Sequence, residues 1–197
     1  MLAGRRNKYQ VLFFVAVTSI FWIYCSPTFA KTTTIDPELR SLLKRSINDN
    51  NSSFEDKFDA EVWLVSKIGP ISRYVKDKEQ QLHILKAVHR AAKRAEVSPE
   101  LVLAIIHIES HFDRFAVSRV GAQGMMQVMP FWKREIGREN DNLMNMETNL
   151  RYGCTILKHY LKRADGDWIE ALARYNGSLG KTTYVEKVMD VWEKYWR

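Results

Sequence analysis

Cysteine is nearly absent from this chain, with only Cys25 and Cys154 among 197 residues. A disulfide framework is therefore excluded as a source of stability. Sustained period-two alternation and internal repeats are missing as well, which argues against a sheet-based fold. No RNP, zinc-finger or basic-helix pattern occurs, so a nucleic-acid partner is not expected. Nor does any apolar run reach the ~20 residues that span a bilayer comfortably. The longest, from Val11 to Tyr24, is apolar apart from Thr18 and Ser19. That run fits the middle of a secretory leader (residues 1–30). Arg5, Arg6 and Lys8 precede it, and Pro27-Thr28-Phe29-Ala30 follows with a helix breaker and a small residue at a cleavage point. A periplasmic chain starting near Lys31 is expected. An uncleaved leader, extended by Phe21-Trp22-Ile23-Tyr24, would instead associate the chain with the membrane. Lipid attachment at Cys25 fits poorly, because bulky Tyr24 stands where a small residue is required.

Without residues 1–30 the chain keeps 167 residues, enough for one compact domain, and its formal charge falls from +7 to +4. A modest positive balance favours an anionic partner such as cell wall. Residues 31–53 are polar and read as a tether with one short helix near Pro37 to Ile47. From Phe54 the periodicity turns helical: Phe54, Phe58, Val62 and Val65 recur at spacings of three or four, and Gly69-Pro70 punctuates. Residues 54–84 thus form a helical extension. Leu82, Leu85, Val88, His89 and Ala92 mark the next amphipathic helix. Ser98-Pro99-Glu100 is a helix start, with a capping hydroxyl, a proline suited to the first turn and an acid at the positive end of the dipole. Leu101 to Ile106 follow, apolar on nearly all sides, so this helix belongs in the middle of the domain. Leu150, Cys154, Leu157 and Leu161 define another helix, with Cys154 read as a core residue. Trp168, Leu172 and Tyr175 define one more, stopped by Asn176-Gly177. A last helix starts at Thr182 or Thr183 and carries Val185, Val188, Met189, Trp192 and Trp196. The fold class is mostly α, and a monomer is expected.

Glu109 lies four residues after Ile105 and eight after Leu101, on their face of the apolar helix. Apolar surroundings disfavour the charged form, and the negative end of the helix dipole acts in the same direction. Both effects suit a carboxyl that donates a proton near neutral pH, and hen lysozyme's catalytic acid is an established case of that logic. The bland reading is a structural ion pair with Arg114 or Arg119. His107 and His111 flank Glu109, but the order His-Ile-Glu-Ser-His is not that of a zinc protease. At 100° per residue Glu109 points roughly 200° from His107, so no metal site is expected.

Fifteen residues beyond Glu109, Gly124-Met125-Met126-Gln127 offers a glycine-framed turn. Met125 to Met129 is expected to form a short helix ended by Pro130-Phe131, with Met125 and Met126 structural and Gln127 offering donor and acceptor groups to a ligand amide. Tyr175 can hold the Glu109 carboxyl or stabilise a developing charge, and Asn176 can bind an N-acetyl group. Together Glu109-Ser110, the run Ser118 to Pro130, Asn149 with Gly153, and Arg174-Tyr175-Asn176-Gly177 resemble the signature of the lytic transglycosylase domain, over about residues 85 to 197. Departures are mild: Met125 stands for the more usual leucine, Arg174 for alanine, and Gly177-Ser178 for Ala-Gly.

The resemblance implies a lysozyme-like helical domain at residues 85–197, with an elongated groove for peptidoglycan glycan strands and no cofactor. It implies Glu109 as sole acid/base, and Ser118, Gln127, Met129, Tyr175 and Asn176 lining the groove. Cleavage would fall between N-acetylmuramic acid and N-acetylglucosamine without water, leaving a 1,6-anhydro end. A hydrolytic muramidase is the alternative and needs a second carboxylate, for which Asp113, Asp141, Glu147 and Glu170 are the candidates. A catalytically silent peptidoglycan-binding module is the non-enzyme alternative.

Overall fold

In the computed structural model residues 37–47, 53–54 and 56–197 are described. The leader and most of the polar tether lie outside them. Among the described residues eight α-helices run in order: α1 Pro37–Ile47, α2 Lys57–Ile71, α3 Lys78–Ala95, α4 Pro99–Ser110, α5 Trp132–Ile136, α6 Met146–Arg163, α7 Trp168–Tyr175 and α8 Thr183–Val191. A π-helical turn, Trp192–Trp196, follows. Among the described residues β-pairing is confined to two isolated bridges, Val117 to Gln123 and Gln123 to Val128. The mostly α class expected of the sequence is the one observed. No helix among the described residues is long and apolar enough to cross a membrane.

α4 is the axis of the domain. Ser98 caps it, accepting from the Leu101 amide at 3.2 Å, and Pro99 occupies its first turn. Residues 102 to 106 are fully buried. Such burial contributes about 1.5–3 kcal/mol for each Val or Ile side chain, which explains a helix with no polar face. α3, α8 and the π-turn pack around it. α6 lies against both α3 and α7, burying Leu150, Cys154 and Leu157. α3 presents Leu82, Leu85, Val88, His89 and Ala92 inward, the stripe that the sequence marked.

The underside of α4 is sealed by aromatic groups. His107 is buried and accepts at Nδ1 from the Trp196 indole at 3.3 Å. The neutral ring therefore carries its proton on Nε2, where it donates to the Tyr74 hydroxyl oxygen. Burial and the neighbouring His111 and Arg73 hold the His107 pKa down at about 4. His107 is thus a packing residue.

Three local expectations are corrected. The stripe is split: Phe58 is 71% and Val62 54% exposed, whereas Phe54 and Val65 pack partly buried against the core, and Ala60, Leu64, Lys67 and Ile71 are the buried positions of α2. α2 is apolar around most of its girth, so periodicity alone does not choose its inner face. Polar anchors choose it instead: Lys67 Nζ donates to the Trp196 carbonyl at 2.6 Å, and the Trp63 indole donates to Glu100 at 2.6 Å. Gly69-Pro70 does not end the helix, because Pro70 sits in the last turn and removes only the bond to exposed Ser66. Finally, Met125 to Met129 is not helical. Gly124 to Gln127 form a turn closed by paired bonds between Gln123 and Val128, each 3.0 Å. Gly124 (φ +74°) and Gln127 (φ +49°) are left-handed at its two ends, a conformation no helix accommodates.

Candidate active site

Glu109 is the penultimate residue of α4, where the chain leaves the core and reverses through left-handed His111 and Phe112. Its neighbour Ser110 ties this helix end to the turn, donating to the Met125 carbonyl at 2.8 Å. The Glu109 carboxyl then receives two bonds from the C-terminal part of the chain. The Tyr184 hydroxyl donates to Oε1 at 2.7 Å, and the Asn176 side chain also bonds it. Burial pushes the Glu109 pKa up, and the bonds from Tyr184 and Asn176 oppose that push without cancelling it. The other carboxyls whose pKa moves among the described residues, Glu96, Glu100 and Asp141, all move down. Glu109 stands apart from them as a carboxyl poised to hold a proton.

The turn above Glu109 is built by a buried amide. Asn149 on α6 accepts from the Met126 amide at 2.8 Å, and donates to the Gln123 and Leu143 carbonyls at 2.8 and 2.9 Å. Gly124 has to be glycine at this contact, since a Cβ would lie 2.4 Å from the Asn149 amide and 2.6 Å from the Leu143 carbonyl. Gly153, one turn farther along α6, admits the Met126 side chain in the same way. Met125 and Met126 are fully buried, the structural position expected of them.

The Tyr175 hydroxyl does not reach Glu109 as its bonding partner. It donates to the Met126 carbonyl at 2.8 Å and so fastens α7 to the turn, a correction to the expected Tyr175–Glu109 bond. Tyr184 fills that place. It is 8% exposed, and its own pKa is raised well above the usual value by burial and by the Glu109 charge. Reading the last helix for apolar residues passes over it, yet its spacing of four from Val188 puts both on the buried face. Gln127 is also differently used: its amide donates to the Gly124 and Ala116 carbonyls at 2.8 and 3.2 Å, so its donors hold the turn. Ser118 Oγ accepts from the Ala122 amide at 3.0 Å and closes the preceding loop. Met129 is partly exposed, and Asn176 is exposed next to Glu109.

Among the candidate second carboxylates, Asp113 is exposed and accepts from the Phe115 amide at 2.8 Å. Asp141 pairs with Arg151, Glu147 with Arg90 and Glu170 with Arg174, at 3.1, 2.7 and 2.6 Å. The ion pair with Arg114 or Arg119 that would make Glu109 structural is not formed among the described residues. Cys154 is buried, with its pKa pushed up to about 12 by desolvation, the state of a core thiol.

A largely buried carboxyl with a raised proton affinity, held by a tyrosine and an asparagine beside a glycine turn, has the chemistry that acid/base transfer requires. Residues 86–192 match the family model of the Transglycosylase SLT domain, and the chain belongs to that family. It is 44% identical over 55 residues to membrane-bound lytic murein transglycosylase C of Actinobacillus pleuropneumoniae serotype 5b (strain L20), covering 28% of this chain and 14% of that protein. It is 31% identical over 93 residues to membrane-bound lytic murein transglycosylase D of Escherichia coli (strain K12), covering 45% and 20%. The chain thus spans a fifth or less of these curated relatives. Among solved structures, the lytic transglycosylase Slt of Pseudomonas aeruginosa, in an inactive mutant form, matches with a TM-score of 0.45 and 23% identity, covering 79% of this chain and 26% of that one.

Proposed function

We propose that this protein is a peptidoglycan lytic transglycosylase in which Glu109 acts first as acid and then as base. Glu109 protonates the oxygen bridging N-acetylmuramic acid to N-acetylglucosamine. It then accepts the proton of the muramic C6 hydroxyl as that oxygen bonds to C1, leaving a 1,6-anhydro end. The glycan runs in a groove past Ser118, Met129 and Asn176, and export places the enzyme in the periplasm. The observation that carries the reading is the raised pKa of Glu109 within bonds from Tyr184 and Asn176. A resting carboxyl has to be protonated for the first step and ionised for the second, and opposing burial and hydrogen bonding keep both forms within reach.

The hydrolytic alternative is supported less well. A muramidase using a second carboxylate needs that group free to face the sugar or a water. Asp113 caps the Phe115 amide, and Asp141, Glu147 and Glu170 are paired with arginines. Digestion of purified sacculi followed by mass spectrometry separates the readings. Anhydro ends, lighter than reducing ends by one water, support the lyase; reducing ends support the muramidase; no release at all supports a silent binding module.

A further inference from the structure

Resting on that reading, we propose that Lys67 and Trp196 are positioning residues that fix the rotation of α4 and so the aim of Glu109 at the glycosidic oxygen. Both lie outside residues 86–192, Lys67 on α2 and Trp196 in the π-turn. Lys67 is 6% exposed, and its ammonium donates to the Trp196 carbonyl at 2.6 Å. Burial disfavours that charge and lowers the Lys67 pKa, with the Glu100 charge acting against it. A methionine would fill the same space without the cost, so the donor itself is what the position uses. Its use is at a helix end. Closing carbonyls of a helix lack partners within it, and a cation there complements the negative end of the dipole.

Trp196 carries that anchor to α4. Its side chain is fully buried, packs on Phe112 with ring centroids 5.4 Å apart, and donates its indole proton to His107 Nδ1 at 3.3 Å. The other ring nitrogen of His107 bonds Tyr74, which follows α2. α8 runs into the π-turn without a break, so Tyr184 and Trp196 belong to one continuous helical segment. Tyr184 holds Glu109, and Trp196 holds His107. These two residues of α4 project roughly 200° apart around the helix axis. One segment therefore grips the end of α4 from nearly opposite faces, and a helix held in this way cannot turn about its axis without breaking one of the bonds. α2 also secures the start of α4, where the Trp63 indole donates to Glu100 at 2.6 Å. Of the ionisable side chains facing Glu109, Tyr184 bonds it and Tyr175 bonds the Met126 carbonyl. Loosening Trp196 thus reaches the carboxyl through Tyr184.

The test uses the full chain with Lys67→Met, which keeps the side-chain length and removes the donor, and Lys67→Arg, which keeps a donor. Rates on purified sacculi are followed against pH, and the Glu109 carboxyl is titrated by carbon NMR. Lys67→Met should lower kcat about tenfold, the scale of one lost bond to a charged group, with KM unchanged. The alkaline limb and the Glu109 titration should both move to higher pH, because a bond favouring the carboxylate is weakened. Lys67→Arg should stay near wild type in both. In a Tyr184→Phe background Lys67→Met should shift neither further, since the bond through which it acts is gone. A variant that is merely less stable, with kcat, limb and titration unchanged below its melting temperature, overturns the proposal, as does an additive loss in the double variant. If Lys67→Met does not fold, Trp196→Phe decides by the same readings, since it keeps a buried ring and removes the indole donor. Should wild type release no anhydro product, the transglycosylase reading fails, and the NMR titration alone then upholds or overturns the role of Lys67 and Trp196.

Discussion

Tyr184 and Glu109, 75 residues apart in the chain, meet in a 2.7 Å hydrogen bond that joins the last helix to the end of the central one. The bond favours the carboxylate, whereas burial favours the acid. A proton donor loses activity as pH rises through its pKa. Tyr184→Phe removes a group that holds this pKa down, so the alkaline limb of the rate profile should move to higher pH, with kcat lowered by roughly tenfold. Tyr175→Phe loses a bond to the Met126 carbonyl instead. It should cost about 1 kcal/mol of stability and leave the limb in place. Rate–pH profiles of the two variants, beside their denaturation midpoints, check both expectations.

The turn depends on one amide. Asn149→Ala would strip partners from the Met126 amide and from the Gln123 and Leu143 carbonyls, all at a residue only 1% exposed. A loss of about 2–4 kcal/mol is expected from unpaired buried groups of this kind. Urea unfolding measures it. A loss below about 0.5 kcal/mol would mean that water or rearranged side chains replace the amide readily.

Helix positions were largely legible in the sequence because capping and burial agree there. Ser98-Pro99 starts α4, and the run Leu101 to Ile106 has nowhere to go but the core. The inner face of α2 was not legible, since its choice depends on Lys67 reaching a carbonyl 129 residues away. Glu109 could be located because helix spacing and desolvation both act within a single helix. Its partner could not, because Tyr175 and Tyr184 are both aromatic hydroxyls on late helices, and only the docking of α7 and α8 decides which one reaches the carboxyl. Gln127 shows the same limit: its donors are consumed by backbone carbonyls that the non-helical turn exposes.

A raised carboxyl pKa also has a stability cost at neutral pH. The folded state binds the Glu109 proton more tightly than the unfolded chain does. The contribution is therefore fully present below the ordinary value of 4.5 and is lost as pH rises through the folded pKa. Glu109→Gln keeps the shape and removes the charge, so its melting temperature should exceed that of wild type at pH 7. The gain should shrink as pH falls toward 4.5. Calorimetry across that range checks the sign; a variant less stable than wild type at pH 7 would contradict it.

Histidines act in the opposite sense. His89, stacked on Phe54 at 3.7 Å, and His107 both have pKa values lowered to about 4 from 6.5, chiefly by burial. The unfolded chain takes up these protons first, so stability should fall as pH drops from about 6.5 to about 4. His89→Phe should flatten part of that slope in thermal melts.

The most direct measurement sets Glu109→Gln against Asp113→Asn on purified sacculi, with anhydro products counted by mass spectrometry. Removing the acid/base group should lower release by about 100- to 10,000-fold while sacculus binding survives. Asp113→Asn should retain most of the activity, since that carboxylate serves as a cap for the Phe115 amide. Equal loss in both variants, with wild type releasing reducing ends, would contradict the single-carboxylate mechanism and put a two-carboxylate hydrolase in its place.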